Sequence, residues 1–172
     1  MRAGAALIAV NAQAALLREG WRASFVRNEG DPMATTGISA IDHAPQVFAE
    51  WLNELCADLG WEKARAYLLL CETLHAVRDF LSVDEAADLS AQLPLLVRGV
   101  FFDGWDPSRT PARPRNKADF LARVEARFRK EPLEDPERAV SAVFDLLRRH
   151  VSWGEFEQVK NAMRKPIREL WE

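Results

Sequence analysis

Two Ser-x-x-Glu tetrapeptides, Ser82-Val83-Asp84-Glu85 and Ser152-Trp153-Gly154-Glu155, stand seventy residues apart, and the chain around them repeats at the same step. Arg78 falls on Arg148, Leu81 on Val151, Leu89 on Val159, Leu93 on Met163, Val97 on Ile167, Arg98 on Arg168 and Phe101 on Trp171. A step one residue shorter brings Leu52 onto Leu121, Leu55 onto Val124 and Leu59 onto Phe128. Self-similarity at a fixed period marks one supersecondary unit used twice. Ser-x-x-Glu is the form of a capping box, in which the serine oxygen takes one orphan amide of a helix and the glutamate reaches back to another. The repeat therefore predicts an all-α fold of two degenerate four-helix units, about 46–102 and about 118–171, joined by a connection at 103–117. Each unit alone is near the lower size limit for folding, so the two are expected to share one core.

The spacing of apolar residues predicts the individual helices. Phe48, Trp51, Leu52, Leu55, Cys56 and Leu59 lie on one face of a first helix that ends at Gly60. A second, from about Glu62 to Leu81, turns Tyr67, Leu70, Cys71, Leu74, Val77 and Leu81 inward and leaves Lys63, Arg65, Glu72 and Arg78 more exposed. Ser82 opens the third, and Pro94 sits in the first turn of a fourth that carries Leu95, Leu96, Val100 and Phe101. Gly104, Pro107, Pro111 and Pro114 break the pattern from Asp103 to Asn116. Phe120, Leu121, Val124 and Phe128 mark a fifth helix, and Asp135-Pro136-Glu137 a cap, a first-turn proline and a first-turn acid for the sixth. The second Ser-x-x-Glu box opens the seventh, and Ile167 to Trp171 is a last short turn or helix.

Composition narrows the class. Hydrophobic residues make up 48% and charged residues 28% of the 172, with a formal net charge of -3, the profile of an ordinary soluble globular domain. No apolar run reaches the length of a membrane span. Cys56 and Cys71 both sit in apolar helical patterns, which predicts free thiols and a cytoplasmic location. Residues 1–42 are expected to be a poorly ordered or helical extension outside the fold proper, which occupies 43–172. Their Arg2 and alanine-rich stretch followed by Ala12-Gln13-Ala14 imitate a short secretory signal, and Met33 offers an alternative start.

His75-Ala76-Val77-Arg78-Asp79, Val83-Asp84-Glu85-Ala86-Ala87-Asp88-Leu89, Gln92-Leu93-Pro94, Val97-Arg98-Gly99 and Phe102-Asp103-Gly104-Trp105 together form a pattern that resembles the bacterial domain-of-unknown-function family 2267. The second half agrees through Asp135-Pro136-Glu137-Arg138-Ala139, His150-Val151-Ser152 and Arg168-Glu169-Leu170-Trp171, so the likeness covers about Asp42 to Glu172. It implies a two-repeat all-helical domain with no assigned activity, so no catalytic residue is carried over. Met163-Arg164-Lys165-Pro166 departs from the pattern of Leu93-Pro94 and leaves the start of the last helix open.

Chemistry-bearing constellations are sparse. Glu72 and His75 stand at the i, i+3 spacing of di-iron carboxylate bundles, but the matching positions in the second half are Ala142 and Asp145, half a ligand set short. Cys71 and His75 share a helix face without two further zinc ligands. A metal protein using Glu72 and His75 is thus an alternative rather than the expectation, and no cofactor is expected. Ser82 and Ser152 cap helices, no triad or nucleophile elbow surrounds His43, His75 or His150, and there is no glycine-rich phosphate loop. Charge is polarised: residues 43–97 hold nine acids and three bases, and residues 98–130 nine bases and four acids. Arg109, Arg113, Arg115 and Lys117 lie beside Phe102 and Trp105, a mixture that suits either a contact with another protein or a second copy, or a nucleic acid or other polyanion bound through 98–130. The expected function is a non-enzymatic interaction or regulatory module, with polyanion binding as the alternative.

Overall fold

A computed structural model describes residues 36–171, which are all-α, with no strand among them. After one helical turn at Ser39–Asp42, the helices are α1 (Ala44–Leu59), α2 (Lys63–Phe80), α3 (Val83–Gln92), α4 (Leu95–Phe102), α5 (Lys117–Glu125), α6 (Pro136–His150), α7 (Trp153–Ala162) and α8 (Lys165–Arg168). Short 3-10 turns lie at Pro107–Arg109 and Glu169–Trp171. The expectations placed on the alanine-rich stretch and on Met33 fall outside the described residues. No described helix is long and apolar enough to cross a membrane.

Local chemistry explains most boundaries. α1 ends where Gly60 takes φ of 69°, a left-handed conformation that costs glycine nothing, and its amide closes on the Cys56 carbonyl at 2.8 Å. At α3 the Ser82 box is complete: Ser82 Oγ accepts from the Glu85 amide at 3.3 Å and Glu85 Oε2 from the Ser82 amide at 2.7 Å. Asn116 caps α5 and Asp135 caps α6 through the amide three residues on. The second Ser-x-x-Glu does not close as expected. Ser152 makes no side-chain cap bond, and Glu155 Oε1 is buried without a hydrogen-bond partner. Burial and the nearby Asp88 charge raise the Glu155 pKa. α5 also stops at Glu125, so Arg127, Arg129 and Lys130 lie in the turn beyond it rather than on the helix.

α2 is the central element and packs against α1, α4, α5 and α6. Leu69, Leu70, Leu74, Val77 and Phe80 are fully buried along it. A single apolar core runs from Trp51 to Trp171 and draws on both halves of the chain. Aromatic rings cross it in sequence: Phe80 meets Phe120 edge-on at 5.3 Å, Phe144 follows at 6.0 Å, and Trp171 stacks on Phe144 at 3.9 Å.

Arginines close the helix ends. Arg98 Nη2 donates to the carbonyls of Ala91 and Leu93 at the end of α3. Arg168, seventy residues on, donates to those of Asn161 and Met163 at the end of α7, positions also seventy residues on. Arg115 reaches the carbonyls of Phe80 and Ala162, and Arg65 those of Glu131 and Pro132 while its guanidinium lies over Trp61 and Phe128. The carbonyls held by Arg98, Arg115 and Arg168 close helices, where they carry the negative end of the dipole and lack intrahelical donors, so a forked cation suits them, whereas the two held by Arg65 lie in the loop between α5 and α6. Arg78 corrects its expected exposure: it is only 4% exposed, with Nη1 donating to Phe101 O at 2.6 Å and Asp103 O at 3.0 Å and Nε paired with Asp79.

Candidate functional site

The six side chains singled out around the connection part company in the structure. Phe102 and Trp105 are half-buried and pack with tilted rings at 5.0 Å, with Trp105 Nε1 donating to Thr110 Oγ1 at 2.9 Å. The connection is pinned further by the Ala112 amide on the Asp79 carbonyl at 2.6 Å. Asp106 is engaged by the Ser108 hydroxyl and amide, which hold its carboxyl below the ordinary value. Arg115 is committed to backbone carbonyls, and Lys117 pairs with Glu137 at 2.6 Å. Arg109 and Arg113 remain on the exposed surface.

Part of the polarised charge pairs within the chain. Asp79 meets Arg123, Glu72 meets Arg127, and Glu54 and Asp58 together hold Arg149. His150 adds Nε2 at 2.9 Å from Glu54 while its ring stacks on buried Trp51 at 4.6 Å. The acidic first half and the basic residues after it are thus the two sides of a seam between α1–α2 and α5–α6.

Glu72 and His75 are also engaged elsewhere. Glu72 Oε1 lies 3.1 Å from Arg127 Nε, and His75 Nε2 lies 2.7 Å from the Val100 carbonyl. A carbonyl only accepts, so Nε2 carries the hydrogen. Burial lowers the His75 pKa and keeps the ring neutral, against the pull of that hydrogen bond. Burial pushes the Cys71 thiol up to about 12, which leaves it a core side chain rather than a nucleophile. Among the described residues no three potential ligands gather into a metal-sized group.

One surface was not singled out from the sequence. On α4 the inward positions are Val97 and Phe101, both fully buried, while Leu95 is 52% and Leu96 39% exposed. Gly99 lies on the same outer face, and a Cβ built there would meet nothing within 4 Å. α8 and the turn after it repeat most of this burial order, with Lys165 and Pro166 exposed, Ile167 buried, Arg168 intermediate, Glu169 exposed and Trp171 buried, but Leu170 is buried where Val100 is only half-buried. The i, i+4 pair Val97 and Phe101, with Arg98 matching Arg168, was the signal that would have turned Leu95 and Leu96 outward.

Residues 48–170 match the family described as "Uncharacterized conserved protein (DUF2267)". The chain belongs to that family. No curated protein matches it. The family-2267 domain offers one further concavity, a cleft of about 310 Å³ between the end of α1 and the outer face of α6. It is lined by Asp58, Leu59, Arg138, Ser141, Ala142, Asp145 and Arg149. Asp58 is taken up by Arg149 and Asp145 by Arg148, and Ser141 donates to the Leu170 carbonyl. Asp58, Ser141, Asp145 and Arg149 are therefore already engaged.

Proposed function

We propose that the domain works by docking another protein surface rather than by catalysing a reaction, and that α4 presents the contact. The contrast between α4 and α8 carries this reading. The two have the same inward pattern and the same arginine closure, yet Leu95, Leu96 and Gly99 stand where α8 and its following turn have Lys165, Pro166 and Glu169. A fold that accepts lysine and glutamate at those places does not need leucine there. Solvent-facing apolar side chains gathered on one helix face are a mark of an interaction surface. Gly99 adds to this: a glycine inside a helix costs roughly 1 kcal/mol relative to alanine and no neighbour in the protomer demands it, whereas a closely approaching partner does.

The paired Phe102 and Trp105 extend the face toward exposed Arg109 and Arg113, which gives it aromatic anchors and a basic rim. Within this reading the two halves are degenerate copies of one unit, one of which has turned its last helix to recognition. The matched carbonyl partners of Arg98 and Arg168 support that descent. A photoreactive phenylalanine analogue at position 95 should give discrete covalent protein adducts in living cells, and the same probe at position 165 none. No adduct at 95, or the same adducts at both positions, ends the proposal.

A further inference from the structure

We infer that the occupant of the α4 face is the α4 face of a second copy, packed antiparallel with the two Gly99 residues at the crossing. This rests on the reading of α4 as a docking surface. Shape favours the pairing: the stripe is bulky at both ends, Leu95 and Leu96 at one and Phe102 at the other, and empty in the middle at Gly99. Turned antiparallel on itself, it sets each Leu96 beside the partner's Phe102 and lets the backbones close at the glycines.

Charge favours the same direction. α4 starts at Pro94, which supplies no side-chain cap, so the amides of its first turn and the positive end of its dipole are left to other partners. Asp103, exposed, stands at the other end of the same helix. Antiparallel pairing brings each Asp103 to the uncapped start of the partner's α4, twice over by symmetry. A parallel arrangement would instead place the two Asp103 carboxylates side by side.

Area sets the strength. An eight-residue helix is about 12 Å long. Even with Phe102 and Trp105 it falls short of the roughly 800 Å² per partner of a standard stable interface, so the dimer is a reversible one.

Sedimentation velocity on the full chain between about 1 µM and about 500 µM, the range in which a reversible contact of this size associates, is the test. The weight-average mass should climb from 19.5 kDa toward twice that value. Leu95→Glu with Leu96→Glu should weaken association at least about tenfold, and Lys165→Glu should leave it unchanged, with helical circular dichroism intact in both. In a Cys56→Ser background, Gly99→Cys should give a disulfide-linked dimer under mild oxidation and Glu169→Cys should not. A single 19.5 kDa species throughout overturns the inference, and so does a dimer indifferent to the two glutamates. A monomer whose position-95 probe still captures a different protein removes the second copy as occupant and leaves the docking reading standing; a monomer with no adduct at 95 removes both.

Discussion

Arg78 and Arg148 occupy matched points near the ends of α2 and α6, and the structure uses them in opposite ways. Arg78 is buried and holds the carbonyls of Phe101 and Asp103 at the end of α4. Arg148 lies on the surface against Asp145, with more than half of each side chain exposed. At the corresponding joint of the second half, Trp171 stacks on Phe144 at 3.9 Å and the Ser141 hydroxyl donates to the Leu170 carbonyl. One joint is closed by a forked cation and the other by an aromatic stack with a neutral hydrogen bond. Joints alike in inward pattern are thus held by unlike chemistry, and the difference can be measured one residue pair at a time.

The largest effect should come from Arg78→Ala. It strands buried carbonyls and removes the partner of Asp79, and should cost about 3 kcal/mol, against less than about 0.5 kcal/mol for Arg148→Ala. Urea unfolding of the two variants reads this directly, and equal losses would break the comparison. Arg98→Ala and Arg168→Ala should each cost about 1 to 2 kcal/mol and resemble one another, because each removes the same two carbonyl bonds from the same place. Ser82→Ala should cost about 1 kcal/mol and Ser152→Ala close to nothing, since only Ser82 caps its helix.

The smallest contrast concerns protonation. Glu85 has its hydrogen bond to the Ser82 amide, whereas Glu155 Oε1 is buried without a donor beside Asp88. The folded pKa of Glu155 is raised, so the folded state holds that proton more tightly than the unfolded chain does. Stability should therefore fall as pH rises from the ordinary glutamate value of 4.5 through the raised value. Glu155→Gln should flatten that segment of the pH profile and raise the melting temperature at neutral pH. An unchanged profile would show that neither burial nor Asp88 shifts the Glu155 carboxyl in solution.

The helices were legible in the sequence because their signals are local. Gly60, Ser82 and Asp135 each set a boundary through bonds within four residues, and the apolar spacing of α2 gave part of its buried face, Leu70, Cys71, Leu74 and Val77, but not the fully buried Leu69 and Phe80. What was not legible depended on contacts between distant segments. Nothing near Arg78 announces that Phe101 and Asp103, more than twenty residues away, will turn their carbonyls toward it. The Ser152 box carries the same local signal as the Ser82 box and still does not close. The basic stretch read from charge counts proved to be largely committed inside the protomer, with Arg98 and Arg115 on carbonyls and Lys117, Arg123 and Arg127 on acids. The α4 face was hidden in plain composition, since a leucine counts the same whether it faces in or out.

The arginine closures leave an unusual trace in variation. When two side chains touch, a change in one can be answered by a change in the other, and such paired substitutions reveal the contact. At Arg98 and Arg115, and at Arg168 in its bond to Met163, the acceptor is the main chain, which every residue possesses, so Ala91, Leu93, Phe80, Ala162 and Met163 are free of that obligation, whereas Asn161 also offers its side-chain Oδ1 to Arg168 at 3.4 Å. Contacts inferred from correlated substitutions should therefore pass over these clamps, although they fix where α2, α3 and α7 end.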